Sequence, residues 1–218
     1  VRSQVLWARD DVTVGRTSTG ARIVLDEQGV PLQGKPPPGV DVAYRRCNAW
    51  EPNWDGRHET RPTARRTLLL VRHGQYHLDD ADKGLLTELG HEQARQVGER
   101  LARLSAETPF SISAIVHSDM PRAMQTTDAI RALLPEHEHT QCMPELAEGR
   151  PCIPEPSRSA RKWSAEQLET DGPRIEHGFR ALVRRASERV REDETLIVVC
   201  HANVIRYFVC RALQLPPE

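Results

Sequence analysis

The stretch Leu68-Leu69-Leu70-Val71-Arg72-His73-Gly74-Gln75 constrains this chain most. Four apolar residues in a row, without polar alternation, read as a strand covered on both faces, the pattern of a parallel sheet. In open parallel sheets ligands bind beyond the carboxyl ends of the strands. Arg72 and His73 stand at such an end, a permanent cation beside a titratable nucleophile. Gly74 allows a tight turn and a close backbone approach to a ligand.

Two further segments repeat the arrangement. Ser113-Ala114-Ile115-Val116-His117-Ser118 reads as a short strand that passes into a helix from Met120 to Leu134. Pro121 suits the first turn of that helix, Ser118 or Asp119 can cap it, and Arg122 falls in the first turn. Thr195-Leu196-Ile197-Val198-Val199-Cys200 reads as a third buried strand. It ends in His201 and leads directly into an amphipathic helix, Val204–Leu213. Between the first two strands, Leu89, Gln93, Val97, Leu101 and Leu104 recur at helical spacing behind Thr87, a good N-cap. Residues 135–162 are proline-rich and read as irregular. Ser164 with Gln167 three residues on predicts a helical turn over 163–170. A longer helix is expected at about 173–191. Strands alternating with helices imply a three-layer α/β/α domain with a mostly parallel central sheet.

In such a sheet the three junctions share one edge. Arg72, His73, Arg122 and His201 therefore converge, and two helix N-termini add amide donors and positive dipole ends. A phosphoryl group is the natural guest, because guanidinium grips phosphate oxygens in pairs. Glu148, in Leu146-Ala147-Glu148-Gly149, offers a carboxyl from the irregular segment. Two histidines and a glutamate could also ligate a metal, but the neighbouring guanidiniums would repel a divalent cation. The glycine-rich phosphate loop of nucleotide hydrolases and the Gly-x-Ser-x-Gly elbow of serine hydrolases are absent from the sequence.

Leu70-Val71-Arg72-His73-Gly74, Arg122-Ala123-Met124-Gln125-Thr126, Glu148-Gly149 and His201-Ala202 together resemble, in order, the motifs of the histidine phosphatase (phosphoglycerate mutase-like) superfamily. A narrower likeness is to the mitochondrial serine/threonine protein phosphatases of that superfamily. It rests on Arg72–His77, on Cys200–Tyr207, on the ending Cys210–Glu218 and on Trp50-Glu51-Pro52-Asn53-Trp54-Asp55, which resembles their multimerisation motif. The resemblance implies a phosphohistidine on His73, phosphate held by Arg72, Arg122 and His201, and Glu148 as acid and base. It also implies no metal or organic cofactor, phosphoprotein substrates, a mitochondrial location, and activation by multimerisation of a homo-oligomer through Trp50, Asn53, Trp54 and Asp55. The family continues past helix 204–213 into further strands, so a catalytic domain over 66–218 is expected to be truncated at its C-terminus.

The other readings are a small-metabolite phosphomonoesterase, a phosphoglycerate mutase, and a scaffold with secondary phosphatase activity. A mutase must hold a second phosphate, and no extra basic cluster near the site loops suggests one. The scaffold reading comes from the paired tryptophans. Residues alone leave that segment open, either a tail folded on its own domain or a docking peptide.

Residues 1–65 read as a weakly ordered extension and linker, with a strand at Ala21–Leu25, a turn at Gln28-Gly29 and a stiff Lys35-Pro36-Pro37-Pro38-Gly39. A net charge of −1 excludes a strong general attraction to nucleic acid. Five scattered cysteines without a Cys-x-x-Cys pair point to a reducing compartment and no zinc knuckle. No apolar run approaches the ~20 residues of a membrane span. The chain starts at Val1, so any anchor or targeting segment would lie upstream; without one, the expected location is cytoplasmic.

Overall fold

A computed structural model describes residues 13–16, 22–25, 63–79, 83–107, 112–134, 139–152, 165–186 and 190–215. The chain divides into two compact units, Val1–Arg45 and Arg46–Glu218. In the first, strands β1 (Thr13–Arg16) and β2 (Arg22–Leu25) pair antiparallel, from Thr13 opposite Leu25 to Arg16 opposite Arg22. A strand is expected at β2; β1 is an addition that its mixed sequence did not announce. The Gln28-Gly29 turn and the proline run lie outside the described residues.

The second unit is built on a four-stranded sheet. Its strands are β3 (Arg66–Arg72), β4 (Ile112–His117), β5 (His139–Cys142) and β6 (Glu194–Cys200), in the spatial order β3-β6-β4-β5. Every pairing is parallel. The fold is therefore of the α/β class. β6 lies between β3 and β4, and Leu196 through Cys200 are all fully buried, as an unbroken apolar run in a central strand requires. Val71, Ile115, Ile197 and Val199 from the sheet pack with Leu101 and Ile130 from two helices to form one core.

Four helices follow the strands: α1 (Glu88–Glu107), α2 (Pro121–Arg131), α3 (Ala165–Leu182) and α4 (Ala202–Ala212). Thr87 caps α1, its Oγ1 accepting the Gly90 N–H at 3.0 Å. The buried face of α1 keeps Leu101 from the expected apolar face, with Val97 and Leu104 packed against the core, and departs from it at Leu89. Leu89 is 52% exposed, whereas Gly90, Ala94, Gly98 and Leu101 are buried. Small residues let the helix approach its neighbours closely. A Cβ at Gly98 would stand 3.0 Å from Leu133 and 3.2 Å from the Ile130 backbone on the α2 side. At the other end, Gly74 and Gly90 pack backbone to backbone, and a Cβ on either would strike a carbonyl of the other segment.

Two other differences have clear causes. β5 arises inside the span read as irregular, where His139-Thr140-Gln141-Cys142 is a polar edge strand without apolar patterning. α3 runs through Pro173 as one helix, where a turn over 163–170 and a separate helix from about 173 are expected. An interior proline costs ~3 kcal/mol. Ile175, Phe179 and Leu182 beyond it are at most 1% exposed. Burying each contributes roughly 1.5–3 kcal/mol, which outweighs the proline. α3 stops at Leu182 rather than near residue 191, yet Ala186 remains buried, so apolar spacing continues past the helix itself. No helix among the described residues is long and apolar enough to cross a membrane.

Candidate active site

The parallel ladder carries its register past the strand ends. The His73 N–H donates to the Cys200 carbonyl at 3.1 Å, and the Ser118 N–H donates to the Val199 carbonyl at 3.0 Å. These backbone bonds hold His73 and Ser118 at one edge, beside His201 at the end of β6. The His73 and His201 rings lie 4.9 Å apart, tilted by 54°. Arg122, in the first turn of α2, reaches the same point, its Nε donating to His73 Nε2 at 3.2 Å. Its guanidinium also lies 4.4 Å over the Tyr76 ring, which stands edge-on to His73 at 5.2 Å. Arg72, exposed at the end of β3, adds a positive charge felt by both histidines.

Hydrogen bonds settle which nitrogen of His73 carries a proton. Nδ1 lies 2.7 Å from the Gly74 carbonyl, an acceptor only, so Nδ1 carries the proton. Nε2 then keeps its lone pair, which accepts from Arg122. Burial above all, with Arg122 and Arg72 assisting against the Gly74 hydrogen bond, lowers the His73 pKa to about 4. The imidazole is neutral at physiological pH, as a nucleophile must be.

His201 is fully buried, and burial with the surrounding cations lowers its pKa to about 3. Its Nε2 lies 2.9 Å from Ser118 Oγ, which itself accepts the Met120 N–H at 3.2 Å. In the tautomer in which Ser118 donates its hydroxyl proton to Nε2, the His201 proton sits on Nδ1. Nδ1 is buried without a hydrogen-bond partner among the described residues. A buried orphan ring nitrogen is costly unless a ligand atom completes it.

Glu148 follows a short 3-10 turn, Pro144–Leu146. Burial pushes its carboxyl pKa up, opposed by the Gly149 N–H, by Arg122 and by Asn203. Gly149 N–H donates to Glu148 Oε1 at 3.2 Å, and Asn203 Nδ2 donates to the Gly149 carbonyl at 3.1 Å. Arg122 thus stands within electrostatic reach of His73, His201 and Glu148 alike. The arrangement joins a neutral imidazole, two cations, an unpaired buried ring nitrogen and a carboxyl inclined to hold a proton. It fits a tetrahedral oxyanion such as a phosphoryl group. Among the described residues, no three His, Cys, Asp or Glu side chains gather as a metal-ligand set.

Four contributors escaped the sequence reading of roles. Ser118 is expected only as a cap for α2, yet Met120 occupies the cap position and the serine orients His201. Asn203 also reads as a helix cap and instead braces the Glu148 loop. Tyr76, with pocket and loop roles equally open, proves to hold Arg122. Arg174, unremarkable on an amphipathic helix, bonds the Glu148 loop. The segment Trp50–Asp55 lies outside the described residues.

A parallel α/β sheet with these groups at its carboxyl edge defines a phosphoryl-handling enzyme. The family model for the histidine phosphatase superfamily (branch 1) matches residues 68–218, and the chain belongs to that superfamily. It is 38% identical to the human serine/threonine-protein phosphatase PGAM5, mitochondrial, across 95% of this chain and 77% of that protein. To the mouse protein of the same name it is 41% identical, across 84% of this chain and 70% of the other. A crystal structure of phosphoglycerate mutase from Plasmodium falciparum is 31% identical, with a TM-score of 0.49 covering 70% of this chain and 72% of its own.

Proposed function

We propose that this chain is a protein serine/threonine phosphatase, a phosphoric monoester hydrolase of the mitochondrion, working through a phosphohistidine on His73. One observation carries the chemistry: the His73 Nε2 lone pair is free of a proton and points at Arg122, the group that would hold phosphate. The substrate class and location follow from the named relatives.

On substrate binding, Arg122 exchanges its bond to Nε2 for bonds to phosphoryl oxygens. Arg72 and the His201 Nδ1–H take others, so charge developing at the equatorial oxygens meets fixed donors. Nε2 attacks phosphorus, and the P–O bond to the serine or threonine breaks. The leaving alkoxide takes the proton from Glu148. Ionised Glu148 then removes a proton from water as that water attacks the phosphohistidine. Inorganic phosphate departs, and His73 and Glu148 return to their starting forms. No step needs a metal.

The test compares phosphoserine and phosphothreonine peptides with 3-phosphoglycerate, with and without EDTA. Peptide turnover indifferent to EDTA is expected. Preference for 3-phosphoglycerate would favour a metabolite enzyme, and loss of activity restored by zinc would replace the mechanism.

Assembly into a homo-oligomer, a dimer of catalytic domains enlarged by Trp50, Asn53, Trp54 and Asp55, raises this activity. Two tryptophans four residues apart around Pro52 in a polar neighbourhood support this, since each buries on the order of 150–250 Å² when docked. Trp50→Ala with Trp54→Ala should lower the particle mass in light scattering and reduce peptide turnover without lowering the Tm. An unchanged mass would make the segment a tail on its own domain.

A further inference from the structure

The Glu148 loop rests on one side chain more than on any other. Arg174, on α3, donates through Nη1 to the carbonyls of Ala147 at 2.8 Å, Glu145 at 3.1 Å and Pro144 at 3.4 Å. Through Nη2 it donates to the Glu148 carbonyl at 3.4 Å and to Asp171 Oδ1 at 2.8 Å. The other oxygen of Asp171 accepts the Arg150 N–H at 2.8 Å. The pair therefore holds the chain on both sides of Glu148, from residue 144 to residue 150. It also covers Gly149 closely, since a Cβ there would lie 2.5 Å from Arg174 Nη2 and 2.7 Å from Asp171 Cγ. Gly149 in turn gives its N–H to Glu148 Oε1 at 3.2 Å.

Four carbonyls converging on one guanidinium are more than loop closure asks for. A planar fork with five donors can meet several acceptors at fixed angles, which an ammonium on a flexible stem does not reproduce. Arg174 is partly buried, its side chain 25% exposed, and Asp171 is 20% exposed. Its charge also acts at His201, so it stands near the reacting groups rather than on a remote surface. Nothing in this arrangement leaves the arginine free to grip phosphate itself, because both of its terminal nitrogens are already engaged.

We infer that Arg174, locked by Asp171, is a positioning residue that sets where the Glu148 carboxyl delivers its proton. The inference rests on the proposed role of Glu148 as general acid. Its signature is dependence on the leaving group. An alkoxide needs the proton and p-nitrophenolate hardly does. A residue that only stabilised the fold would reduce both reactions together.

The experiment measures kcat/KM of the full chain on a phosphoserine peptide and on p-nitrophenyl phosphate, for Glu148→Gln, Arg174→Lys, Asp171→Asn and the Glu148→Gln/Arg174→Lys pair. Glu148→Gln should lose roughly 10²-fold or more on the peptide and under about tenfold on the aryl ester. Arg174→Lys should show the same split at roughly 10–50-fold against under about threefold. In the Glu148→Gln background it should add less than about twofold, because two residues acting through one group are not additive. Asp171→Asn should repeat the split more weakly, and it carries the test if the lysine variant does not fold. Equal losses on both substrates, or losses that multiply in the double variant, would overturn the role of Arg174 alone. A Glu148→Gln variant without any split would remove Glu148 as the acid, and the positioning role would fall with it.

Discussion

His73 and Glu148 lie within reach of the same guanidinium, yet they are supported in opposite ways. His73 is fixed by backbone. Its N–H extends the β3–β6 ladder, its ring proton is held by the adjoining Gly74 carbonyl, and Gly74 presses on Gly90. Glu148 stands on a loop with no ladder beneath it. Arg174, Asp171 and Asn203, side chains from two helices, hold that loop in place. A side built from a sheet edge takes its geometry from the strand register, which a slip would destroy along with the core. A side built from side chains can be altered one residue at a time. The nucleophile half should therefore respond to substitution in chemistry alone, and the acid half in chemistry and position together.

The largest expected effect lies on the backbone-held half. His73→Ala should lower turnover by at least ~10³-fold, because the covalent route is lost and no neighbour can replace the nucleophile. The fold should survive, since the ladder bond at this position is made by the His73 backbone. Mass analysis of rapidly quenched wild-type enzyme should find phosphate on His73. Substantial residual turnover in the alanine variant would show that the sheet edge is not the reactive side.

The pH profile separates the halves next. Burial and two cations set His73 at about 4, so the free enzyme keeps its nucleophile unprotonated above that value. Glu148 is shifted the other way, above its ordinary value of 4.5, and must be protonated to donate. For a phosphoserine peptide, kcat/KM should fall on the acid side as His73 is protonated, and on the basic side as Glu148 ionises. The basic fall should approach about tenfold per pH unit. For p-nitrophenyl phosphate the basic fall should be much shallower. Identical basic limbs for the two substrates would assign that limb to another group.

What could be read from the sequence divides along the same line. Leu68–Val71 and Thr195–Cys200 are apolar runs, so the strands, and with them Arg72, His73 and His201, were legible as a converging edge. Arg122 was legible because Pro121 marks the helix start. Glu148 was legible only through its place in a motif order, since no periodicity surrounds it. Its supports were not legible at all. Arg174 and Asn203 act across the fold, through contacts with residues 26 to 54 positions away, and a local pattern carries no trace of them. Leu89 was misread for a related reason. Hydrophobicity marks which residues gain from burial, whereas the glycines of α1 mark where two backbones must touch.

The smallest expected effect concerns stability, and it tests whether the backbone-held half is as dry as its burial implies. His201 is fully buried and has a folded pKa near 3, against 6.5 when unperturbed. Between those values the unfolded chain binds more protons than the folded one, so stability must fall as pH drops below about 6.5. At pH 5 the loss from one such histidine approaches about 2 kcal/mol. His73 contributes in the same direction, down to its own value near 4. The buried carboxyl of Glu176 is held below 4.5 by Arg211, so it begins to lose stability only at lower pH. Glu148 runs the opposite way, gaining folded stability as it takes up its proton. Glu148 acts in the wild-type chain and in a His201 variant alike, so the comparison of the two over pH 7 to 5 reads His201. Urea midpoints at pH 7 and pH 5 should differ less in His201→Asn than in the wild-type chain, whatever the variant does to stability at pH 7. An equal difference in both proteins would mean that His201 takes up a proton in the folded state as readily as in the unfolded chain, and its burial in the neutral form would have to be abandoned.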